Sequence, residues 1–299
     1  MTATPKIGFI GAGVMGQPMA GHLLAAGYPV ALYNRTRSKA QPLLDQGAEW
    51  CEEPAGLAAQ SDVLITMVGF PQDVEELYFG DTGLIEQARP GSLLIDMTTS
   101  RPDLARSIAE SAAARSIAAM DAPVSGGDRG AREAKLSIMA GGSDEAFERA
   151  LPVLQVMGAN IVHQGPAGSG QHTKLCNQIA VAAGMLGACE AIRYAEKSGL
   201  DPDTVLRSIT SGAAGSWALS NLAPRMLAGD YAPGFYVRHF LKDLKIALDS
   251  AAAMQIDLPG LQLAHRLYGE LSEMGASDEG TQALIRWYRA PHGKSPRKQ

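Results

Sequence analysis

The sequence predicts an α/β protein, a doubly wound N-terminal domain followed by an all-helical C-terminal domain, and three observations carry that expectation. From residue 6 to residue 164, short β-branched runs alternate with amphipathic stretches, the rhythm of βαβ units and a mostly parallel sheet. After "GPAGSG" at 165–170 the strand signal stops and helical periodicity takes over. The first strand run leads directly into a glycine-spaced turn, "IGFIGAGVMGQPMA". The expected division is 1–165 for the sheet domain, 166–290 for the helical domain and 291–299 for a polar, disordered tail.

In chain order the strand candidates are "KIGFIG", "PVALYN", "DVLITMV", "SLLIDM", "AAMDAPV", "LSIMAGG" and "IVHQG". Between them the spacing predicts helices over Met15–Ala26, Asp73–Tyr78, Pro102–Arg115 and Asp144–Met157. In the second half helices are expected over 169–198, 202–211, 216–228, 238–254, 258–274 and 279–288. No internal repeat interrupts the pattern.

Composition narrows the function classes. The 299 residues are 46% hydrophobic and 19% charged with net charge −5, and the basic cluster is confined to the terminal "HGKSPRKQ", so no nucleic-acid footprint is expected. The three cysteines, Cys51, Cys176 and Cys189, are too scattered for a disulfide framework or a zinc site and read as core filling. His22, His163, His172, His239, His265 and His292 are isolated from one another, so no metal is expected. The start has no secretory pattern, and no run reaches 18 apolar residues without Gly or charge. Neither export nor membrane insertion is expected, and a reducing cytoplasm fits.

Gly11, Gly13 and Gly16 have GxGxxG spacing between a strand and a helix. Such a turn lets the backbone approach a pyrophosphate, and the helix N-terminus offers its N–H groups and dipole to the charge. The second strand then ends in "NRTRSK". Asn34 stands where an acid would repel a ribose phosphate, and Arg35, Thr36, Arg37 and Lys39 offer donors to one. This favours NADP(H). The alternative is that these cations solvate a loop and Asn34 reads an unphosphorylated ribose, leaving NAD(H) possible.

The second domain opens on "GSGQHTKLCNQ". Steps of three and four from Lys174 reach Asn177, Gln178, Val181, Ala182, Met185, Ala188 and Cys189, one mostly apolar face. Either the first turns protrude into water, or an amine and two amides face a ligand.

"GFIGAGVMGQPMA", "DAPVSGG" and "GSGQHTKLCNQ" together resemble the β-hydroxyacid dehydrogenases, a family of 3-hydroxyisobutyrate dehydrogenases and tartronate, glyoxylate and succinic semialdehyde reductases. The resemblance covers roughly residues 5 to 290, and "NRTRSK" with "FYVRHFLKD" looks more like the glyoxylate and succinic semialdehyde branch. It implies a Rossmann-type first domain and a small carboxylate-bearing aldehyde or hydroxy acid as substrate. Ser125, Gly126 and Gly127 would hold the carboxylate, with Thr99, Asn177, Gln178 and Phe235 also at the substrate. Gly11, Gly13, Val14, Met15, Gly16, Asn34, Arg35, Thr36, Met67, Val68, Thr99, Lys242 and Asp243 would hold the cofactor, and Lys174 would be catalytic. The chain departs from the family in having Gln178 where an asparagine is usual, one methylene longer, and Ala134 where a glycine is common.

In the implied reaction the nicotinamide delivers hydride to a carbonyl while protonated Lys174 stabilises and protonates the alkoxide, or acts as base in reverse. A free lysine titrates near 10.4, so base work near neutrality requires desolvation or a nearby cation. An imine reductase shares the two-domain plan but typically has Asp or Tyr in place of this lysine. A non-catalytic nucleotide-binding module would bind cofactor without turnover. A 6-phosphogluconate dehydrogenase would need a larger helical domain. The 169–198 helix, about 45 Å long, exceeds what one small domain covers, so a homodimer or a homotetramer is expected.

Overall fold

The first apolar run forms β1, Ile7–Ile10, with all four residues buried. The computed structural model describes residues 4–291, and the strands that follow are β2 (Val30–Tyr33), β3 (Glu49–Trp50), β4 (Val63–Thr66), β5 (Leu93–Asp96), β6 (Ala118–Asp121), β7 (Val124–Ser125), β8 (Leu136–Gly141) and β9 (Gly158–Gly165). They form one sheet ordered β3-β2-β1-β4-β5-β6-β8-β7, with β9 beside β8. Strands β1 to β6 are parallel to their neighbours in that set, whereas β8 runs antiparallel to β6 and β7 and parallel to β9. The order reverses between β1 and β4, and ligands of such sheets sit at the carboxyl ends of the strands there.

The central strands are buried on both faces, which explains their continuous apolar runs. Ile65 and Ile95 enter one core with Phe9 and Met19, while Leu64 and Leu94 enter the other with Ile10 and Tyr78. The run "AAMDAPV" divides into β6 and β7 because Pro123 has no N–H to give a ladder; its carbonyl accepts from the Met139 N–H at 3.0 Å. Strand β3 and the helices Pro54–Gln60 and Gly127–Arg132 occupy stretches where no element was expected.

By contacts the chain separates into Met1–Cys176 and Asn177–Gln299. This contact division falls inside the helix Ser169–Ser198, because the first turns of that helix are bonded to the sheet. The helix has the predicted bounds, and of the predicted stripe Lys174, Gln178, Ala182, Met185, Ala188 and Cys189 are buried while Asn177 and Val181 are half-buried. By length and mean hydropathy (1.4 over its most apolar window) it could cross a membrane, but that stripe is covered by protein. Cys189 is core, whereas Cys51 is half-buried and Cys176 is exposed, which corrects the expectation that all three fill cores.

In the second unit Asp201 caps Pro202–Ile209 through the Thr204 N–H at 3.2 Å. Val237–Ala253 and Pro259–Leu271 follow, with Phe240 edge-on to Tyr268 at 4.9 Å. Three segments expected as single helices are broken. A widened turn, Ala218–Leu222, precedes Ala223–Leu227 at Pro224; another, Ser272–Ala276, contains Gly275 at φ 89°; and a tight turn at Thr281–Ala283 precedes Leu284–Arg289. Proline and left-handed glycine each remove a regular helical bond, and apolar periodicity is insensitive to that.

Candidate functional site

The glycine turn follows β1. Gly11 has φ 105°, and a Cβ there would lie 2.1 Å from the Met67 carbonyl oxygen. A Cβ on Gly16 would lie 1.8 Å from the Gly11 carbonyl oxygen, so the turn and the following helix, Gly16–Ala25, pack too closely for any side chain. Gly13 differs: a Cβ there meets no protein atom within 4 Å. The fold itself does not require glycine at 13, whereas a ligand approaching the backbone does. The helix start at Met15 has no side-chain cap and no acid in its first turn, leaving its field for an anion. Val14 is exposed beside it, and Met15 is half-buried. These residues fit a dinucleotide pyrophosphate.

Asn34, at the end of β2, is tied into this turn. Its Oδ1 accepts from the Ala12 N–H at 2.9 Å and its Nδ2 donates to the Thr36 carbonyl at 2.8 Å. It therefore holds the loop between the glycine turn and Thr36. Arg35 is 81% exposed and pairs with Asp73 at 3.3 Å, while Arg37 pairs with Glu52 and lies over the Trp50 ring at 5.0 Å. Beyond β4, the Met67 N–H donates to Ile10 and the Val68 N–H donates to Thr98 Oγ1 at 3.0 Å.

At the ends of β5 and β6 lies a polar network in which Asp96, Asp121 and Gln171 had no assigned role in the sequence. Asp96 Oδ1 accepts from Thr66 Oγ1 at 2.9 Å and from the Thr98 N–H at 3.1 Å. Gln171 donates to the Thr98 carbonyl at 2.7 Å and accepts from the Ser100 N–H at 2.8 Å. Asp121 accepts from the Gly168 and Gln171 N–H groups, both at 2.7 Å, and so caps the start of the lysine helix. Burial pushes both carboxyls up to about 6 against the hydrogen bonds that favour their charged forms. Gln171 was legible as a candidate, since it lies three residues before Lys174 on the same face. Thr99, between the two residues bound by Gln171, is half-buried.

Ser125 ends β7, paired with Ser137 of β8, and Gly126 and Gly127 follow with φ 125° and 62°, conformations that demand glycine. Lys174 is only 7% exposed. The glycine turn, Asn34 to Thr36, Met67, Val68, Thr99, Ser125 to Gly127 and Lys174 all belong to the first unit.

Asn177, Gln178, Phe235, Lys242 and Asp243 belong to the second. Gln178 Nε2 donates to Asp243 Oδ2 at 2.5 Å, its Oε1 accepts from Asn177 Nδ2 at 2.8 Å, and Lys242 pairs with Asp243 at 3.0 Å. The longer amide at 178 is thus engaged with a buried carboxylate within the second unit. Phe235 lies edge-on to Phe240 at 5.8 Å. Among the described residues no group of three or more His, Cys, Asp or Glu could hold a metal ion.

A doubly wound sheet opening on this glycine turn defines a dinucleotide-binding protein of the Rossmann class. Residues 6–165 match the NAD binding domain of 6-phosphogluconate dehydrogenase, and residues 168–288 match the NAD-binding domain of NADP-dependent 3-hydroxyisobutyrate dehydrogenase. The chain is 58% identical over 280 residues to the uncharacterized oxidoreductase YkwC of Bacillus subtilis, covering 94% of this chain and 97% of that protein. It is 40% identical over 281 residues to the 3-hydroxyisobutyrate dehydrogenase of Pseudomonas aeruginosa, covering 92% and 94%. A solved Mycobacterium tuberculosis 3-hydroxyisobutyrate dehydrogenase with L-serine superposes with TM-score 0.88 at 32% identity, covering 96% and 100%. The chain belongs to the 3-hydroxyisobutyrate dehydrogenase family, NAD(P)-binding oxidoreductases among the β-hydroxyacid dehydrogenases.

Proposed function

We propose that the protein reduces a small carboxylate-bearing aldehyde, of the glyoxylate or succinic, tartronate or methylmalonate semialdehyde type, with NADP(H) as preferred cofactor, and oxidises the matching hydroxy acid in reverse. The observation that carries this is Lys174, an amine 7% exposed on the first turns of a helix capped by Asp121. An ammonium held away from bulk water acts more strongly on a developing alkoxide than one in water does.

When bound, the nicotinamide supplies a hydride to the carbonyl carbon. Lys174 donates a hydrogen bond to the carbonyl oxygen and passes its proton to the alkoxide, leaving the alcohol and a neutral amine. The Ser125 hydroxyl and the N–H groups of Gly126 and Gly127 hold the substrate carboxylate. Thr99 lines the nicotinamide or the substrate, and Phe235, Asn177 and Gln178 contribute from the helical unit, Gln178 through Asp243. Lys242 and Asp243 belong to the cofactor side.

NADP(H) preference is supported by the absence of an acid at Asn34 and by the exposed cations Arg35, Arg37 and Lys39. The proposed setting is the cytoplasm, checked by fractionating cells; a membrane-bound pool would contradict it. Exposed Tyr194 on the long helix supports assembly as a homodimer or homotetramer, and a monomer by light scattering at micromolar concentration would contradict it. A screen of the four aldehydes with NADPH and NADH tests the reaction. Turnover of at least one with NADPH is expected, and cofactor binding without any turnover would favour a binding module.

A further inference from the structure

Gln171 is fully buried, one helical turn ahead of Lys174 on the same face. Its amide does two jobs at once. Oε1 accepts from the Ser100 N–H at 2.8 Å, and Nε2 donates to the Thr98 carbonyl at 2.7 Å. Those two backbone groups bracket Thr99. One side chain that fills both groups must donate and accept at once. A carboxylate only accepts, an ammonium only donates, and asparagine is one methylene shorter.

The same stretch of helix is fixed a second time. The Gly168 and Gln171 N–H groups donate to the two oxygens of Asp121, and glycines wall that clamp: a Cβ on Gly141 or Gly170 would lie 2.6 Å or 2.8 Å from an Asp121 oxygen. Thr98 is itself held, its N–H by Asp96 and its hydroxyl by the Val68 N–H. The lysine helix, the Thr99 segment and the ends of β4, β5 and β6 are thus one bonded unit, with Gln171 as the side chain joining the first two.

We propose that Gln171 is a positioning residue, fixing Lys174 against the Thr99 segment so that the proton donor and the hydride-transfer geometry are set by one rigid piece of the fold. This rests on the reading of Lys174 as proton donor. Because a buried amide bonded to backbone stabilises any fold, the distinguishing property is that Gln171 acts through Lys174.

The test is a double-mutant cycle on kcat with the best aldehyde and NADPH, using the parent, Gln171→Leu, Lys174→Ala and the double variant. A displacement of about 1 Å costs on the order of 10²-fold, so Gln171→Leu should lower kcat about ten- to hundredfold with NADPH affinity within about threefold of the parent. In the Lys174→Ala background the same change should cost less than about threefold, since the group it positions is gone. Equal losses in both backgrounds, or parental kcat in Gln171→Leu, would overturn the proposal. Parental kcat in Lys174→Ala alone would instead overturn the reading beneath it, and the proposal with it. Gln171→Glu keeps the volume and the Ser100 bond, and should show the same non-additivity if the leucine variant does not fold. Gln282→Leu is the control: that buried glutamine donates to the Asp230 and Ala232 carbonyls in the helical unit, so it should lose stability without losing kcat. A matching kcat loss there would reduce Gln171 to a structural role.

Discussion

Replacing Gly13 by alanine separates the needs of the fold from the needs of a ligand. The added methyl would meet no protein atom within 4 Å, and the backbone of Gly13 lies outside the left-handed region. Folding stability should therefore stay within about 1 kcal/mol of the parent, since alanine also restricts the unfolded chain. A pyrophosphate held by backbone N–H groups would be pushed outward. Losing two charge-assisted hydrogen bonds, each worth about 1.5 to 3 kcal/mol, removes two to four decades of affinity. Gly16→Ala should behave differently, because its methyl would lie 1.8 Å from the Gly11 carbonyl oxygen, so stability should fall by about 1 to 3 kcal/mol as well. Titration of NADPH fluorescence, paired with urea unfolding of each variant, reads both quantities. A Gly13→Ala protein binding NADPH within about threefold of the parent, against the hundredfold or greater loss expected, would show that this turn does not cradle the cofactor.

Three further outcomes are expected. Burial raises the Asp96 carboxyl to about 6 in the folded protein, against about 3.9 unfolded, so the native state binds that proton more tightly. The stability this contributes is full below pH 4 and lost as pH rises to 6; urea unfolding should show Asp96→Asn gaining about 2 to 3 kcal/mol on the parent between those limits, and a constant difference would refute it. Ala134 has φ 52° just after the helix Gly127–Arg132, so Ala134→Gly should relieve the left-handed penalty and stabilise by about 0.5 to 1 kcal/mol, and a lower melting temperature would contradict this. Arg35→Ala should weaken NADPH about tenfold and leave NADH unchanged, the lower end for a charge-assisted contact because Arg35 is 81% exposed and paired with Asp73; equal effects on both cofactors would mean that it does not read the phosphate.

Much of the scaffold was legible because its determinants are local. GxGxxG spacing reports a turn whose tight contacts are all within one βα unit, and the bounds of Ser169–Ser198 follow from an apolar stripe of period 3.6 uninterrupted by proline. The broken helices at Pro224 and Gly275 were not resolved because their apolar spacing continues across the irregular turns. Strand order and the antiparallel β8 depend on pairings between distant segments, which periodicity does not encode. The site was legible as residue types, but not as a network. Asp121 and Gln171 act on backbone groups 47 to 73 positions away, and Gln178 turns to Asp243, 65 positions away.

The most direct measurement is kcat of Lys174→Ala on the best aldehyde, taken together with its NADPH dissociation constant. If Lys174 supplies both the proton and the charge that stabilises the alkoxide, kcat should fall by a factor on the order of 10² to 10⁴ while NADPH binding, held at the Gly11 to Gly16 turn, stays within about threefold. Lys174→Arg should recover little, because a guanidinium keeps the charge but does not release its proton in this range. Retention of more than about a tenth of the parental kcat by the alanine variant, well short of the loss expected for a missing proton donor, would contradict the assignment and leave Lys174 as a buried lysine of the helix start.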